Sequence, residues 1–310
     1  MPPGTWSVRF IDDNPRAPHY NLAGTQPSPR ARDAAKVLFS KKPGASVMFS
    51  LHCGLMIWAM ISGPTVAADS PQDAKGADSI AKATVADLSQ WVTHYYRQPD
   101  PENIPARVRR MVELNMLRKG RPEANQMFVG QIMRANPEKI ADWMSAWKDL
   151  PAEDQAVLRQ AVWISQTAAG KTWLAENGYN ELSQKEGHPF TTGAAMVLEP
   201  YHVDMLWEWF FATGDKDPIL RIVGMFNMLA EDPGAADLPV KPMPGGDRAT
   251  YLRQTIGGVS VWSASSLAVR HDKLLEHLKE IQNHPELPQR GGAWLKRAIE
   301  LAERDRKRAD

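Results

Sequence analysis

The stretch Tyr201-His-Val-Asp-Met-Leu-Trp-Glu-Trp-Phe-Phe-Ala-Thr213 does most to decide the fold class of this chain. Wound as a helix at about 100° per residue, it places large apolar side chains around nearly the whole circumference. Only a narrow stripe is left for Asp204 and Glu208, which are i and i+4 neighbours. A helix that is apolar all round is normally buried in the middle of a domain. We therefore expect residues 201–213 to form the centre of a helical core.

Helix signals also recur on both sides of this stretch. Asp100-Pro101, Asn136-Pro137 and Asp217-Pro218 each place a capping side chain before a proline at the first helical position. Together with the apolar period, these signals predict helices at 78–97, 101–119, 122–135, 137–149, 152–168, 170–177, 201–213, 218–231, 247–268, 270–284 and 290–307. No run alternates convincingly like a strand. The prediction is an all-α fold of stacked helical hairpins, either an irregular α-solenoid or an orthogonal helical bundle, without significant β-sheet.

Two segments of the chain resemble each other. Arg97-Gln-Pro-Asp-Pro-Glu-Asn-Ile104 is similar to Arg134-Ala-Asn-Pro-Glu-Lys-Ile140. The two segments lie about 36 residues apart. Paired helices that recur at about this spacing are typical of helical repeats, so the similarity favours stacked hairpins. The alternative is that Asx-Pro-Glu is merely a common way to begin a helix.

A stretch rich in proline and glycine, 232–247, divides the predicted helical region into two parts. We predict a helical domain at 69–231 and a Pro/Gly-rich linker or loop at 232–247. A C-terminal helical portion at 248–310 follows, and we expect it to pack on the first.

The beginning of the chain has the layout of a secretory signal. Lys41 and Lys42 precede an apolar run within 48–61, and Val66 and Ala68 supply the small residues of a cleavage site before Asp69. The run is shorter than the roughly 20 apolar residues of a membrane span. We predict a signal peptide at 48–68, with an uncleaved membrane anchor and a buried core segment as alternatives. Residues 1–47 are proline-rich and aperiodic, which indicates a disordered leader or a mis-assigned start.

Removal of residues 1–68 changes the charge and the cysteine count. Residues 69–310 hold 30 Lys and Arg against 33 Asp and Glu, a net charge of −3, and no cysteine. A mildly acidic surface has no general attraction for nucleic acid or anionic lipid. The missing thiols fit an oxidising compartment and exclude disulfides and cysteine-based zinc sites. We expect no nucleic-acid partner, and membrane contact only through 48–68.

Three segments carry a resemblance to a known group of proteins. Asp204-Met-Leu-Trp-Glu-Trp-Phe-Phe-Ala-Thr-Gly-Asp215 resembles a segment of an uncharacterised group of exported, helix-rich bacterial proteins. Tyr95-Tyr-Arg-Gln-Pro99 and Ala135-Asn-Pro137 are also similar to segments of that group. The resemblance implies export and a helical fold, and it implies no particular activity.

The acidic stripe of 201–213 is the main candidate for chemistry. Asp204 and Glu208 are candidate catalytic carboxylates for acid–base work on a glycan. Tyr201, Trp207 and Trp209 are candidate binding residues, because aromatic rings form platforms for sugars and anchors for partners. The plainer interpretation is that the two acids are ion-paired, with His202, Arg221, Arg270 or His271 as partners.

Other motifs lack the context that their chemistry requires. Ala169-Gly-Lys-Thr172 resembles the end of a phosphate-binding loop, but Ser165 stands where that loop needs glycine. Gly258-Val-Ser-Val-Trp262 resembles a nucleophile elbow, but Trp262 replaces its closing glycine. No two histidines have the i, i+4 spacing of a helical zinc site. We therefore predict neither a metal nor any other cofactor.

These observations favour an exported, periplasmic helical interaction or scaffold protein without catalytic activity, which binds a protein or another component of the cell envelope. The alternative is a cell-envelope hydrolase that uses Asp204 and Glu208 on an aromatic-rich groove. A scaffold is expected to expose an apolar or concave patch of several hundred Å². A hydrolase is expected to hold both carboxylates at the bottom of an open pocket.

Overall fold

A computed structural model of the protein describes residues 77–120, 122–188, 199–229, 248–283 and 289–309. These residues form thirteen α-helices and four short 3-10 helices, and none of them lies in a strand. The predicted all-α fold is thereby confirmed. The predicted leader 1–47, signal peptide 48–68 and linker 232–247 lie outside the described residues.

The helices follow one another with short connections. In chain order they are α1 (Ala77–Ala81), α2 (Val85–His94), α3 (Ile104–Glu113), α4 (Pro122–Ala135), α5 (Ile140–Ala146), α6 (Ala152–Ser165), α7 (Ala168–Glu176), α8 (Asn180–Gln184), α9 (Pro200–Thr213), α10 (Asp217–Gly224), α11 (Arg248–Ala268), α12 (Asp272–Gln282) and α13 (Gln289–Ala309). The 3-10 helices are Tyr95–Arg97, Pro101–Asn103, Pro137–Lys139 and Met225–Met228.

The helix α9 is the central helix that the sequence predicts. Every residue from Val203 to Ala212 is buried. The helix contacts α2, α4, α10 and α11, together with the 3-10 helix Tyr95–Arg97. It ends at Gly214, whose φ of 69° lies in the left-handed region that glycine adopts without strain. The all-round apolar pattern therefore correctly indicated the middle of the core.

The helix starts at Asp100-Pro101 and Asn136-Pro137 do not use the side-chain caps that were predicted. Neither Asp100 nor Asn136 makes a side-chain capping bond to the backbone. The carboxylate of Asp100 instead accepts hydrogen bonds from the Asn103 amide at 2.9 and 3.0 Å. Each proline begins a 3-10 helix, and the α-helix follows it at the buried residues Ile104 and Ile140. The predicted helices 101–119 and 137–149 therefore begin later, and they also end earlier, at Glu113 and Ala146. The two similar segments do share this local structure.

The predicted helix 78–97 is broken near its beginning. Thr84 caps α2, because its hydroxyl accepts a hydrogen bond from the Asp87 N–H and the Asp87 carboxylate accepts one from the Thr84 N–H at 2.8 Å. Such a reciprocal pair satisfies two donors that a helix start leaves open. The capping box therefore starts a new helix at Val85, separate from α1.

The helices after residue 247 share one core with those before it. The core cluster includes Leu88 on α2, Phe210 on α9 and Leu278 on α12, and it extends to Ala302 on α13. Among the described residues, α11 contacts α9 and α10, and α13 contacts the 3-10 helix Met225–Met228. Both sides of the predicted linker thus contribute to a single apolar interior.

No described helix combines the length and the apolar character that crossing a membrane requires.

Candidate functional site

The two candidate catalytic carboxylates lie in the interior. Asp204 is 4% exposed and Glu208 is 7% exposed, because both stand on the part of α9 that other helices cover. Arg221, one of the cations considered as a partner, has its guanidinium 5.3 Å from the centre of the Trp209 ring. His271, another of them, stacks on His94. A substrate that reacted with these carboxylates would first have to open the packing around α9.

Trp207 and Trp209 are also buried, at 3% and 6% exposure. The Trp207 indole N–H donates a hydrogen bond of 3.0 Å to the hydroxyl of Ser263 on α11. Its ring stacks on Phe211 with the ring centres 6.3 Å apart. The described contacts of Trp207 thus join α9 to α11 within the core.

Tyr201 differs from the other four candidates because its side chain is exposed. It lies in the first turn of α9, is 40% exposed and packs edge-on against His202. The structure therefore brings Asp204, Glu208, Trp207 and Trp209 into the interior and leaves Tyr201 accessible from outside.

A second exposed tyrosine lies at the same end of the helical body. The helices α9 and α11 run in the same direction, because Trp207 meets Ser263 and Phe211, one turn further along α9, meets His271 just after α11. Their N-terminal ends therefore point the same way. Tyr251, in the first turn of α11, is 53% exposed. Among the described residues, the exposed large apolar side chains are these two tyrosines and Val85.

A cluster at the other end of α9 was not predicted as a unit. The imidazoles of His94 and His271 stack with their centres 4.7 Å apart and their planes inclined by 29°. The Tyr96 hydroxyl lies 3.0 Å from His271 Nδ1, and Arg97 Nε donates to that hydroxyl at 3.2 Å. Arg97 also donates to the carbonyl oxygen of Arg270 at 2.6 Å.

Burial controls the protonation of this cluster. It lowers the pKa of His271 well below the ordinary value of 6.5, and the nearby His94, Arg97, Arg270 and Arg306 act in the same direction. Burial also lowers the pKa of His94, with Arg97 and Arg270 adding to the shift and a hydrogen bond to the Gln90 carbonyl opposing it. At neutral pH the two stacked rings are therefore uncharged.

No protein family, curated protein or solved structure matches this chain. The resemblance of 204–215 to exported helix-rich proteins is not tested by these comparisons, so export stays a prediction.

The remaining buried acid of the described core is Asp154, in the first turn of α6. It is 1% exposed, and its Oδ1 lies 3.4 Å from Nε of Arg118 in an ion pair. Burial raises the pKa of this carboxyl above its ordinary value. Its position at a helix N-terminus, where negative charge is favourable, fits a role in stabilising α6.

The described residues contain no group of three or more His, Cys, Asp or Glu side chains placed to hold a metal ion.

Proposed function

We propose that this chain is an exported, periplasmic interaction protein, which presents a helical surface to a protein of the cell envelope and catalyses no reaction itself. The observation that carries the proposal is the contrast on α9. Asp204, Glu208, Trp207 and Trp209 are at most 7% exposed, whereas Tyr201 is 40% exposed. Among these five residues of α9, the one that a partner can reach is Tyr201, and tyrosine is a residue type enriched at binding hot spots.

Export is supported by the sequence. The basic, apolar and small-residue segments within 41–68 follow one another in the order of a signal peptide. The absence of cysteine from 69–310 fits the periplasm, where a free thiol is a liability. In the alternative form of this proposal, the segment 48–68 is not cleaved and anchors the same helical body to the membrane.

The first experiment tests binding. The chain from Asp69 to Asp310 is immobilised, exposed to a cell-envelope extract of the native host, and the captured proteins are quantified by mass spectrometry. Replacing a hot-spot tyrosine costs about 2 kcal/mol or more, so we expect Tyr201→Ala and Tyr251→Ala each to reduce capture of the principal partner by roughly 30-fold.

The control for this experiment is Val85→Ala, which removes an exposed apolar side chain at the start of α2, 51% exposed. It is expected to leave capture unchanged. Equal capture by all three variants, or no protein retained by the unaltered chain, would rule out the proposed surface.

The second experiment tests export. Mass spectrometry of the N-terminus in the native host is expected to find a periplasmic protein that begins at Asp69. A membrane-bound protein that retains 48–68 would select the anchored form. A cytosolic protein with 1–47 intact would overturn export in both forms.

The alternative function is a cell-envelope hydrolase acting through Asp204 and Glu208. The burial of both carboxylates favours the hydrolase less than the interaction protein, because the packing around them would have to open before they could touch a glycan. Release of reducing ends from purified cell-wall glycan is the direct assay. Activity that is lost in Glu208→Gln while the helical fold is retained would replace the interaction proposal with this one.

A further inference from the structure

The stack of His94 on His271 joins two parts of the chain that are distant in sequence. His94 is the last residue of α2, and His271 is the N-cap residue of α12, in the short connection after α11. Phe210 and Phe211 of α9 pack against the His271 ring, with centres 6.3 and 5.5 Å away. The side chain of His271 is therefore enclosed by aromatic rings from three elements and is 1% exposed.

The charged groups around the stack are mainly cations. Arg97 follows α2, Arg270 precedes His271, and Arg306 reaches in from α13, where it donates hydrogen bonds to the carbonyl oxygen of Ala268. The adjacent carboxylate, that of Asp272, is already held by Arg306 Nη1 at 2.6 Å.

The described groups at the margin of the cluster place no further carboxylate next to either stacked ring. Lys273 Nζ lies 5.8 Å from the centre of the Tyr96 ring. His277 also packs against Phe210; its Nε2 is 3.1 Å from the carbonyl oxygen of Gly214, and its Nδ1 is 3.8 Å from Glu280. Two protonated imidazoles at the observed stacking distance would repel each other and the three arginines. The contact is therefore strongly disfavoured when both rings are protonated.

We propose that His94 and His271 form an acid-sensitive latch, which in its neutral form holds α2 and the 3-10 helix Tyr95–Arg97 against the α11–α12 connection and which opens when both rings take up protons. The opening is local: the amides around the stack lose protection while α4 and α6 remain folded. The latch affects the stability of one end of the helical body, whichever partner the protein binds.

The direction of the pH effect follows from the protonation of the two states. The pKa of each histidine is lowered in the closed form and returns to about 6.5 when the ring is exposed to water. The open form therefore binds more protons below that pH. The latch has its full stability above pH 6.5 and loses it as the pH falls. Between pH 6.5 and the lowered pKa values of the closed form, uptake of two protons raises the opening constant by up to about 100-fold per pH unit, and uptake of one raises it by up to about 10-fold.

Hydrogen exchange on the full chain between about pH 7.5 and pH 5 measures how the opening constant changes with pH, after correction for the intrinsic exchange rate. The informative amides are those of Gln98 and Leu275, which donate to the carbonyl oxygens of Tyr95 and His271. Below pH 6.5 we expect their opening constants to rise by more than 10-fold per pH unit, towards the two-proton limit of about 100-fold. Amides of α6 are expected to show no such rise over the same range.

Variants at His94 separate the contributions of the two histidines to the pH dependence of opening. His94→Phe keeps a stacked ring without a titrating group and is expected to reduce the slope to about 10-fold per pH unit, since His271 alone then takes up a proton. His94→Gln is a second variant with the same expectation. The matched control is His277→Gln, which removes a neighbouring histidine outside the stack and is expected to keep the two-proton slope.

Three results would overturn the latch. The first is a slope of about 10-fold or less per pH unit in the unaltered chain. The second is a slope that neither His94 variant changes. The third is an equal slope at the amides of α6, because the acid effect would then be global unfolding.

Discussion

At the scale of single residues, α4 and α6 can approach closely because Gly130 of α4 has no side chain. A Cβ built on Gly130 would lie 2.7 Å from Cγ2 of Ile164 and 2.9 Å from the carbonyl oxygen of Ala161. The second of these atoms is backbone and cannot rotate away. The same addition at Gly224, at the end of α10, meets no atom within 4 Å.

The two glycines therefore predict opposite effects of the same substitution. Overpacking of this kind typically costs 1–3 kcal/mol, so we expect Gly130→Ala to lower the free energy of unfolding by about 2 kcal/mol. Gly224 has helical φ and ψ angles, so Gly224→Ala is expected to raise it by about 0.5 kcal/mol through a less flexible unfolded chain. Urea denaturation of both variants measures the difference. Equal losses in both would contradict the close approach of α4 and α6.

Single residues also show where the sequence was a poor guide. Asp100 and Asn136 have the residue type and position of helix caps, but prolines one residue later start 3-10 helices instead, and neither side chain caps the backbone. The box formed by Thr84 and Asp87 was missed in the prediction of one helix over 78–97, although its three-residue spacing is a sequence signal for a helix start. Capping depends on backbone angles that residue type only biases, so helix existence was predicted better than helix boundaries.

At the scale of secondary-structure elements, the contact between α9 and α11 depends on a buried hydrogen bond. The Trp207 N–H donates to Ser263 Oγ at 3.0 Å, with both residues at most 3% exposed. Loss of the acceptor leaves a buried donor unsatisfied, which costs about 1–3 kcal/mol. Loss of both partners removes that penalty.

A double-mutant cycle tests this bond. We expect Ser263→Ala and Trp207→Phe each to lower the free energy of unfolding, and the double variant to lose about 1 kcal/mol less than the sum of the two. Ser265→Ala is the matched control. Its hydroxyl donates to the carbonyl oxygen of Trp262 on the same helix and makes no described contact with Trp207. A coupling as large for Ser265 as for Ser263 would contradict the bond.

Elements differ in how well their roles could be predicted. The helix α9 was predicted to be central because its own composition leaves no polar face to turn outward. The same reasoning singled out Trp207, Trp209, Asp204 and Glu208 together, and it could not tell which of them a partner would reach. The stack of His94 on His271 could not be predicted from the sequence, because its members lie 177 positions apart and no local pattern marks either of them. Local patterns determine which elements form, whereas long-range packing decides which side chains meet.

At the scale of the whole molecule, the division at 232–247 does not separate two interiors. Trp294 and Leu295 of α13 are 1% and 0% exposed, and they belong to the same apolar cluster as Leu88 and Phe128. Neither side can bury its apolar surface without the other. Domains that could fold alone would each have a core of their own.

This shared core predicts cooperative unfolding of both sides. Truncation of a fully buried tryptophan typically costs 3–5 kcal/mol, so we expect Trp294→Ala to lower the free energy of opening by about 4 kcal/mol. The loss should appear equally at the slowest-exchanging amides of α4, which precedes the division, and of α12, which follows it. Hydrogen exchange at increasing urea concentration measures both free energies in one sample. If the two sides were independent, α4 would keep its protection while α12 lost it, because the two sets of amides would then report separate transitions.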